Sequence, residues 1–213
     1  MARIASKLCN NLRSGGVAHQ HGITHRDLKP ENVIYHGDGR LILTDFDLAR
    51  INGEIRRTKT DSMVGTIVYA SPEQLCGKDV TPTSDIYTLG VMLFELLTGR
   101  WPFTGSLKEI ARSHLKQPPP LVSTLNPTLP AALAAVLLQA LAKAPTDRFQ
   151  RVSALATAVA VACAVPTRGD PVTTQQPFVT RNVALRHLLR VVEGPQLGHA
   201  GDRSYHPARD RPR

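Results

Sequence analysis

The stretch of this chain that most restricts its fold is residues 83–97, Thr-Ser-Asp-Ile-Tyr-Thr-Leu-Gly-Val-Met-Leu-Phe-Glu-Leu-Leu. Its apolar side chains fall on nearly every face of a helix, and such a helix is stable only when other elements enclose it. Thr83 or Ser84 reads as its N-cap, and Gly99 stands just past its end. Candidates to wrap it follow in order. Helical spacing predicts helices over 107–116, 130–143 and 153–165, separated by Pro118-Pro119-Pro120 and by Pro145. Upstream, Ile4, Leu8 and Leu12 suit a helix within 3–20, although Gly15-Gly16 interrupts its second half. Residues 32–35 and 40–44 are short β-like runs joined by His36-Gly37-Asp38-Gly39, which reads as a tight turn. A polar, aperiodic stretch over 52–63 reads as a long loop, and no internal repeat is evident.

These elements fit one domain, because 213 residues bury a sizeable core once but hardly twice. The composition excludes several function classes. Cys9, Cys76 and Cys163 are scattered and form no C-x-x-C pair, which argues for free thiols in a reducing cytoplasm rather than a disulfide scaffold or zinc site. The pair His19 and His21 has no further ligands at metal spacing. The longest apolar run, 152–165, is too short to cross a bilayer, and the first residues lack the apolar stretch of a signal peptide. The formal charge of +9 raises the question of nucleic acid. However, from Pro166 onward eight arginines stand among four acidic residues, Pro, Gly and His, and the rest of the excess is dispersed without interleaved aromatics. A solvated basic tail over 166–213 is the simpler reading, largely disordered, with one helix-like segment at 182–192; no nucleic-acid partner is expected.

The chemistry concentrates in His25-Arg26-Asp27-Leu28-Lys29-Pro30-Glu31-Asn32 and in Asp45-Phe46-Asp47, whose first Asp lies thirteen residues after Asn32. The first motif resembles, at every signature position, the catalytic loop of the eukaryotic-type (Hanks-type) serine/threonine protein kinases, of a bacterial-like kind. The resemblance implies ATP and Mg²⁺ as cofactors and protein serine or threonine hydroxyls as substrates. Asp27 would accept the proton of the attacking hydroxyl, and Asn32 and Asp45 would hold Mg²⁺. Lys29 would place a positive charge at the transferring phosphoryl group, with Glu31 also bordering the nucleotide. Asp47 departs from the family's glycine, where a Cβ restricts the backbone and a carboxylate adds negative charge.

Scaffold roles also follow from the resemblance. His25 would be a buried support rather than a base. Glu73 in Ser71-Pro72-Glu73, which stands where the family has Ala-Pro-Glu, is expected to pair with Arg148 as a buried ion pair. Asp85 would accept backbone hydrogen bonds from the catalytic loop, and Thr66, after Gly65, would help fix Asp27 and Lys29. Arg26 implies an activation-segment phosphate, for which Thr58, Thr60 and Ser62 are candidate sites; an ordinary loop hydroxyl describes each of them equally well. Trp101-Pro102-Phe103 reads as packing.

Only 24 residues precede His25, and none forms a G-x-G-x-x-G loop or a lysine-bearing strand. The resemblance therefore covers a kinase domain over 1–165 reduced to its C-terminal lobe. The expected fold is mainly α, a helical bundle with a small β-hairpin carrying the catalytic and metal-binding loops, and without the N-terminal β lobe. Three functions remain open: a serine/threonine kinase lobe whose upper lobe comes from a separate chain, a non-catalytic interaction module, and a fragment of a longer gene.

Overall fold

A computed structural model describes residues 23–35, 41–45 and 67–164. Outside these lie the expected helix over 3–20, the turn at 36–39, the loop over 52–63 and the tail with its 182–192 segment. Among the described residues the architecture is mainly helical, with one two-stranded antiparallel sheet.

Strands β1 (Val33–Tyr35) and β2 (Leu41–Leu43) pair Val33 with Leu43, Ile34 with Ile42 and Tyr35 with Leu41. Side chains alternate across a strand, so this register puts Ile34 and Ile42 on one face and Val33 and Leu43 on the other. Val33 and Leu43 pack on the core, whereas Ile34 and Ile42 are 52% and 42% exposed.

Six helices follow: α1 (Pro72–Leu75), α2 (Pro82–Thr98), α3 (Leu107–Lys116), α4 (Val122–Leu125), α5 (Ala131–Ala140) and α6 (Val152–Ala164). In α2 every residue from Thr83 to Leu97 is buried. It is flanked by α4 and α5, and α5 packs in turn on α6. Gly90 is the point of closest approach. A Cβ there would stand 3.1 Å from Ala140 Cβ and from Leu141 Cδ2. Gly99 ends α2 with φ +76°, a left-handed cap that favours glycine.

The N-cap of α2 is Thr81 rather than Thr83 or Ser84, with Pro82 at the first helical position. Ser84 sits inside the first turn, where its hydroxyl accepts from the Thr81 N–H at 3.1 Å. The expected helix over 130–143 runs only over Ala131–Ala140, because Pro145 offers no N–H to continue the ladder and turns the preceding residue away from helical geometry. Past its end, Arg148 Nε and Nη2 donate to the carbonyls of Ala142 and Lys143 at 2.7 and 2.9 Å. Cys76 and Cys163 are free thiols. No helix of the described residues is long and apolar enough to cross a membrane.

Candidate active site

The loop from His25 to Asn32 is an extended segment closed by a single 3-10 turn, Pro30–Asn32. Its conformation depends on contacts from distant parts of the chain. Asp85, buried in the first turn of α2, accepts the His25 N–H at 2.8 Å through Oδ2 and the Arg26 N–H at 3.0 Å through Oδ1. Arg26 adopts φ +70°, a left-handed conformation disfavoured for a residue with a Cβ. The next contact clamps the same residue from its other end: Gln74 Nε2 donates to the Arg26 carbonyl at 2.6 Å. Gln74 Oε1 meanwhile accepts the N–H and the hydroxyl of Ser71, each at 2.9 Å. Ser71-Pro72-Glu73-Gln74 is a capping-box sequence, so the role of Gln74 had a readable signal that the reading by resemblance passed over.

His25 is buried, and its Nε2 lies 2.8 Å from the Thr44 carbonyl. A carbonyl only accepts, so Nε2 carries the proton. The Thr44 N–H in turn donates to the Asn32 carbonyl at 2.9 Å. These bonds join the loop to the end of β2, which delivers Asp45 to the same edge.

The carboxylate at the centre of the loop is Asp27. Lys29 Nζ donates to its Oδ2 at 2.8 Å, and Asn32 Nδ2 donates to the same oxygen at 3.3 Å and to the Asp27 carbonyl at 2.8 Å. Because that carbonyl only accepts, the Asn32 amide must turn its nitrogen inward. Its Oδ1 then remains available as an acceptor, as does Asp27 Oδ1. The side chain of Asp27 is 34% exposed and that of Lys29 19%, so both can be reached by a substrate. Asp45 and Glu31 are exposed, and Asp45 holds φ +57°, which Asp tolerates better than most residues. The Asn32 amide oxygen and the Asp45 carboxylate are hard oxygen donors, a set that fits Mg²⁺. Phe46, Asp47, Thr58, Thr60, Ser62 and Thr66 lie outside the described residues.

Behind the loop, Glu73 and Arg148 form a bidentate pair at 2.7 and 2.9 Å. All five N–H donors of Arg148 are used, because Nη1 also reaches the Thr83 carbonyl at 3.0 Å while Nε and Nη2 hold Ala142 and Lys143. Ser84 Oγ adds a 2.6 Å bond to Glu73 Oε1. Burial alone would push the Glu73 carboxyl up; the bonds from Arg148 and Ser84 outweigh it and hold the group below its ordinary range.

A third buried carboxyl, in addition to those of Asp85 and Glu73, was not expected from the sequence. Glu95, the one acidic residue in the body of α2, accepts the Tyr69 hydroxyl at 2.6 Å, and Trp101 Nε1 donates to that hydroxyl at 3.2 Å. Burial raises the Glu95 carboxyl to about 7. Its signal was a lone carboxylate in a helix apolar on all sides. Trp101 is half-buried and Phe103 buried, so this turn is packed into the domain.

The model of the protein kinase domain matches residues 4–159. The chain is 43% identical over 160 residues to a probable serine/threonine-protein kinase PknB of Lactococcus lactis, covering 75% of this chain and 26% of that protein. It is equally 43% identical over 152 residues to the serine/threonine-protein kinase PknJ of Mycobacterium tuberculosis, covering 68% and 26%. The chain thus spans about a quarter of the length of these relatives. Among solved structures, the kinase domain of Mycobacterium tuberculosis PknI superposes with a TM-score of 0.56 at 31% identity, covering 76% of this chain and 55% of that one.

Proposed function

The chain belongs to the protein kinase family, among the bacterial-type serine/threonine kinases, and from that premise we propose that its first 165 or so residues are a C-terminal catalytic lobe that moves the γ-phosphoryl group of ATP to protein serine or threonine hydroxyls. The observation that carries this reading is the state of Asp27. Lys29 and Asn32 both bond Oδ2, which fixes the carboxylate and leaves Oδ1 to take the proton of an incoming hydroxyl. Lys29, held 2.8 Å from that carboxylate, brings its positive charge to where the phosphoryl group would pass. Asn32 and Asp45 would hold Mg²⁺, which when bound neutralises phosphate charge. Glu31 borders the nucleotide. Because phosphoryl transfer depends on positioning and charge rather than covalent chemistry, the clamps on Arg26 from Asp85 and Gln74 matter as much as the reacting groups.

The exposed Ile34–Ile42 face offers a flat apolar surface for the adenine ring and for the upper lobe, whether that lobe is supplied by a longer polypeptide or by a separate chain. Thr66 would steady Asp27 and Lys29, and a phosphate on Thr58, Thr60 or Ser62 would be read by Arg26. The segment 166–213 is an arginine-biased tail, and the protein works in the cytoplasm.

The test is incorporation of labelled phosphate from Mg-ATP into a general protein substrate, by the chain alone and mixed with the glycine-rich, lysine-bearing upper lobe of a bacterial serine/threonine kinase. Incorporation is expected with the upper lobe present and should fall by roughly 10²–10⁴-fold in Asp27→Asn. Incorporation that survives this substitution unchanged would overturn the assignment of Asp27.

A further inference from the structure

A second set of polar side chains, separate from Asp27 and its neighbours, forms a hydrogen-bonded relay whose direction follows from chemistry alone. His114, on α3, is 1% exposed. Its Nε2 lies 3.1 Å from the Val68 carbonyl, which can only accept, so Nε2 carries the proton. In a neutral ring Nδ1 is then an acceptor, and the Tyr87 hydroxyl stands 2.9 Å from it as donor. The Tyr87 oxygen has a lone pair left, and Lys143 Nζ donates to it at 3.3 Å and to the Ser113 carbonyl at the same distance. Each bond in the series joins a donor to an acceptor, and turning the Tyr87 hydroxyl toward Lys143 would set two donors against each other.

The surroundings hold the relay in this sense. Tyr87 and Phe103 present ring edges or faces to the imidazole at 5.7 and 4.9 Å between centroids. The Lys143 ammonium lies 4.7 Å from the Phe103 centroid, and the Arg148 guanidinium lies 4.8 Å over Tyr87. The charged group acting on the imidazole is thus Lys143, while Arg148 lies over Tyr87 and is paired with Glu73. A positive charge on His114 would be buried beside that of Lys143, and burial with that neighbour lowers the imidazole to about 4.

The far end of the relay is the backbone of residues 67–70, which leads into α1. The Tyr69 carbonyl accepts from Thr88 Oγ1 at 2.9 Å, immediately next to the carbonyl held by His114. From α1, Gln74 reaches the Arg26 carbonyl, one residue before Asp27. The series therefore runs from the end of α5 through α2 and α3 to the segment that abuts the catalytic loop.

We propose that His114 is a positioning residue for phosphoryl transfer, acting as the neutral Nε2–H tautomer to pin Val68 and, through residues 67–74, the backbone before Asp27. The proposal rests on the kinase reading given above, yet its structural half can be tested without activity. Hydrogen exchange of peptides spanning 67–76 is compared in the parent, His114→Leu, which removes both bonds, and His114→Gln, whose amide restores a donor for Val68. Exchange in this segment should rise about tenfold in His114→Leu, stay near parental elsewhere, and recover in His114→Gln. A uniform rise across the domain, or no local rise, would overturn the proposal.

Should His114→Leu fail to fold, nitrogen NMR of the His114 ring in the full chain reads the tautomer directly. A protonated Nε2 and a lone-pair Nδ1 are expected, with the Nδ1 signal moving in Tyr87→Phe; the Nδ1–H tautomer would refute the relay. In the assay with the upper lobe, His114→Leu should lower kcat about tenfold with the KM for ATP unchanged, and His114→Gln should restore it. An unchanged kcat beside altered exchange would refute the catalytic half. Absence of Asp27-dependent activity in the parent would instead count against the kinase reading, leaving the exchange result to decide the relay.

Discussion

Arg148 is the residue on which the most backbone geometry depends. It holds Glu73 through two bonds and three carbonyls through the rest, and its own side chain is buried. Lysine has one compact charge and cannot serve five acceptors spread in a plane. Arg148→Lys keeps the charge but leaves buried acceptors without a donor, and is therefore expected to lower unfolding stability by about 1–3 kcal/mol. Urea denaturation measures it, and a loss below about 1 kcal/mol would contradict this account. The double variant Glu73→Leu/Arg148→Met should lose less than Arg148→Met alone, because it leaves no buried charge unpaired. The types of these two residues and their match to a family motif were readable in the chain, whereas the three carbonyl bonds were not. They depend on how the first turn of α2 and the chain just past α5 come together around Arg148 in space.

At the scale of elements, α2 governs the packing, and Gly90 governs how closely α5 can approach it. Gly90→Ala gains roughly 1 kcal/mol in helix propensity. Against this, the new Cβ would press on Ala140 and Leu141 at 3.1 Å, and overpacking of a fitted core costs about 1–3 kcal/mol. A net loss of about 1 kcal/mol is expected in a thermal melt, and a gain would mean that α5 can retreat without cost. The long helices were legible because their periodicity is long: α3 spans the expected residues, and α6 lies within one residue of them. The four-residue helices α1 and α4 were not, since a single turn has no period to detect. The α2 start was displaced because Pro82 suits the first helical position and moves the cap to Thr81.

For the whole molecule, the buried carboxyl of Glu95 makes stability depend on pH. Its ordinary value is 4.5, and burial raises it to about 7 in the folded protein. Between these values the folded state binds the extra proton, so stability from this group is complete below pH 4.5 and is lost as pH rises through 7. Glu95→Gln lacks this dependence. Relative to the variant, the parent should lose about 3 kcal/mol between pH 4.5 and pH 8. Urea midpoints for both proteins at several pH values give the difference, in which the opposing contribution of His114 cancels. A constant difference would mean that Glu95 ionises without hindrance.

By itself the sequence determined the core helix, the order of the larger helices and the residue types of the catalytic loop, because periodicity and local motif chemistry act over a few consecutive residues. Only the tertiary structure decided that Asp85 holds the backbone of His25, 60 residues away, and that Glu73 meets Arg148, 75 residues away. It also decided that Gln74 holds Arg26 in a left-handed turn and that Glu95 and His114 are buried among polar partners. Hydrogen bonds and desolvation act at a few ångströms in space, and proximity in space is a property of the packed chain rather than of any stretch of it.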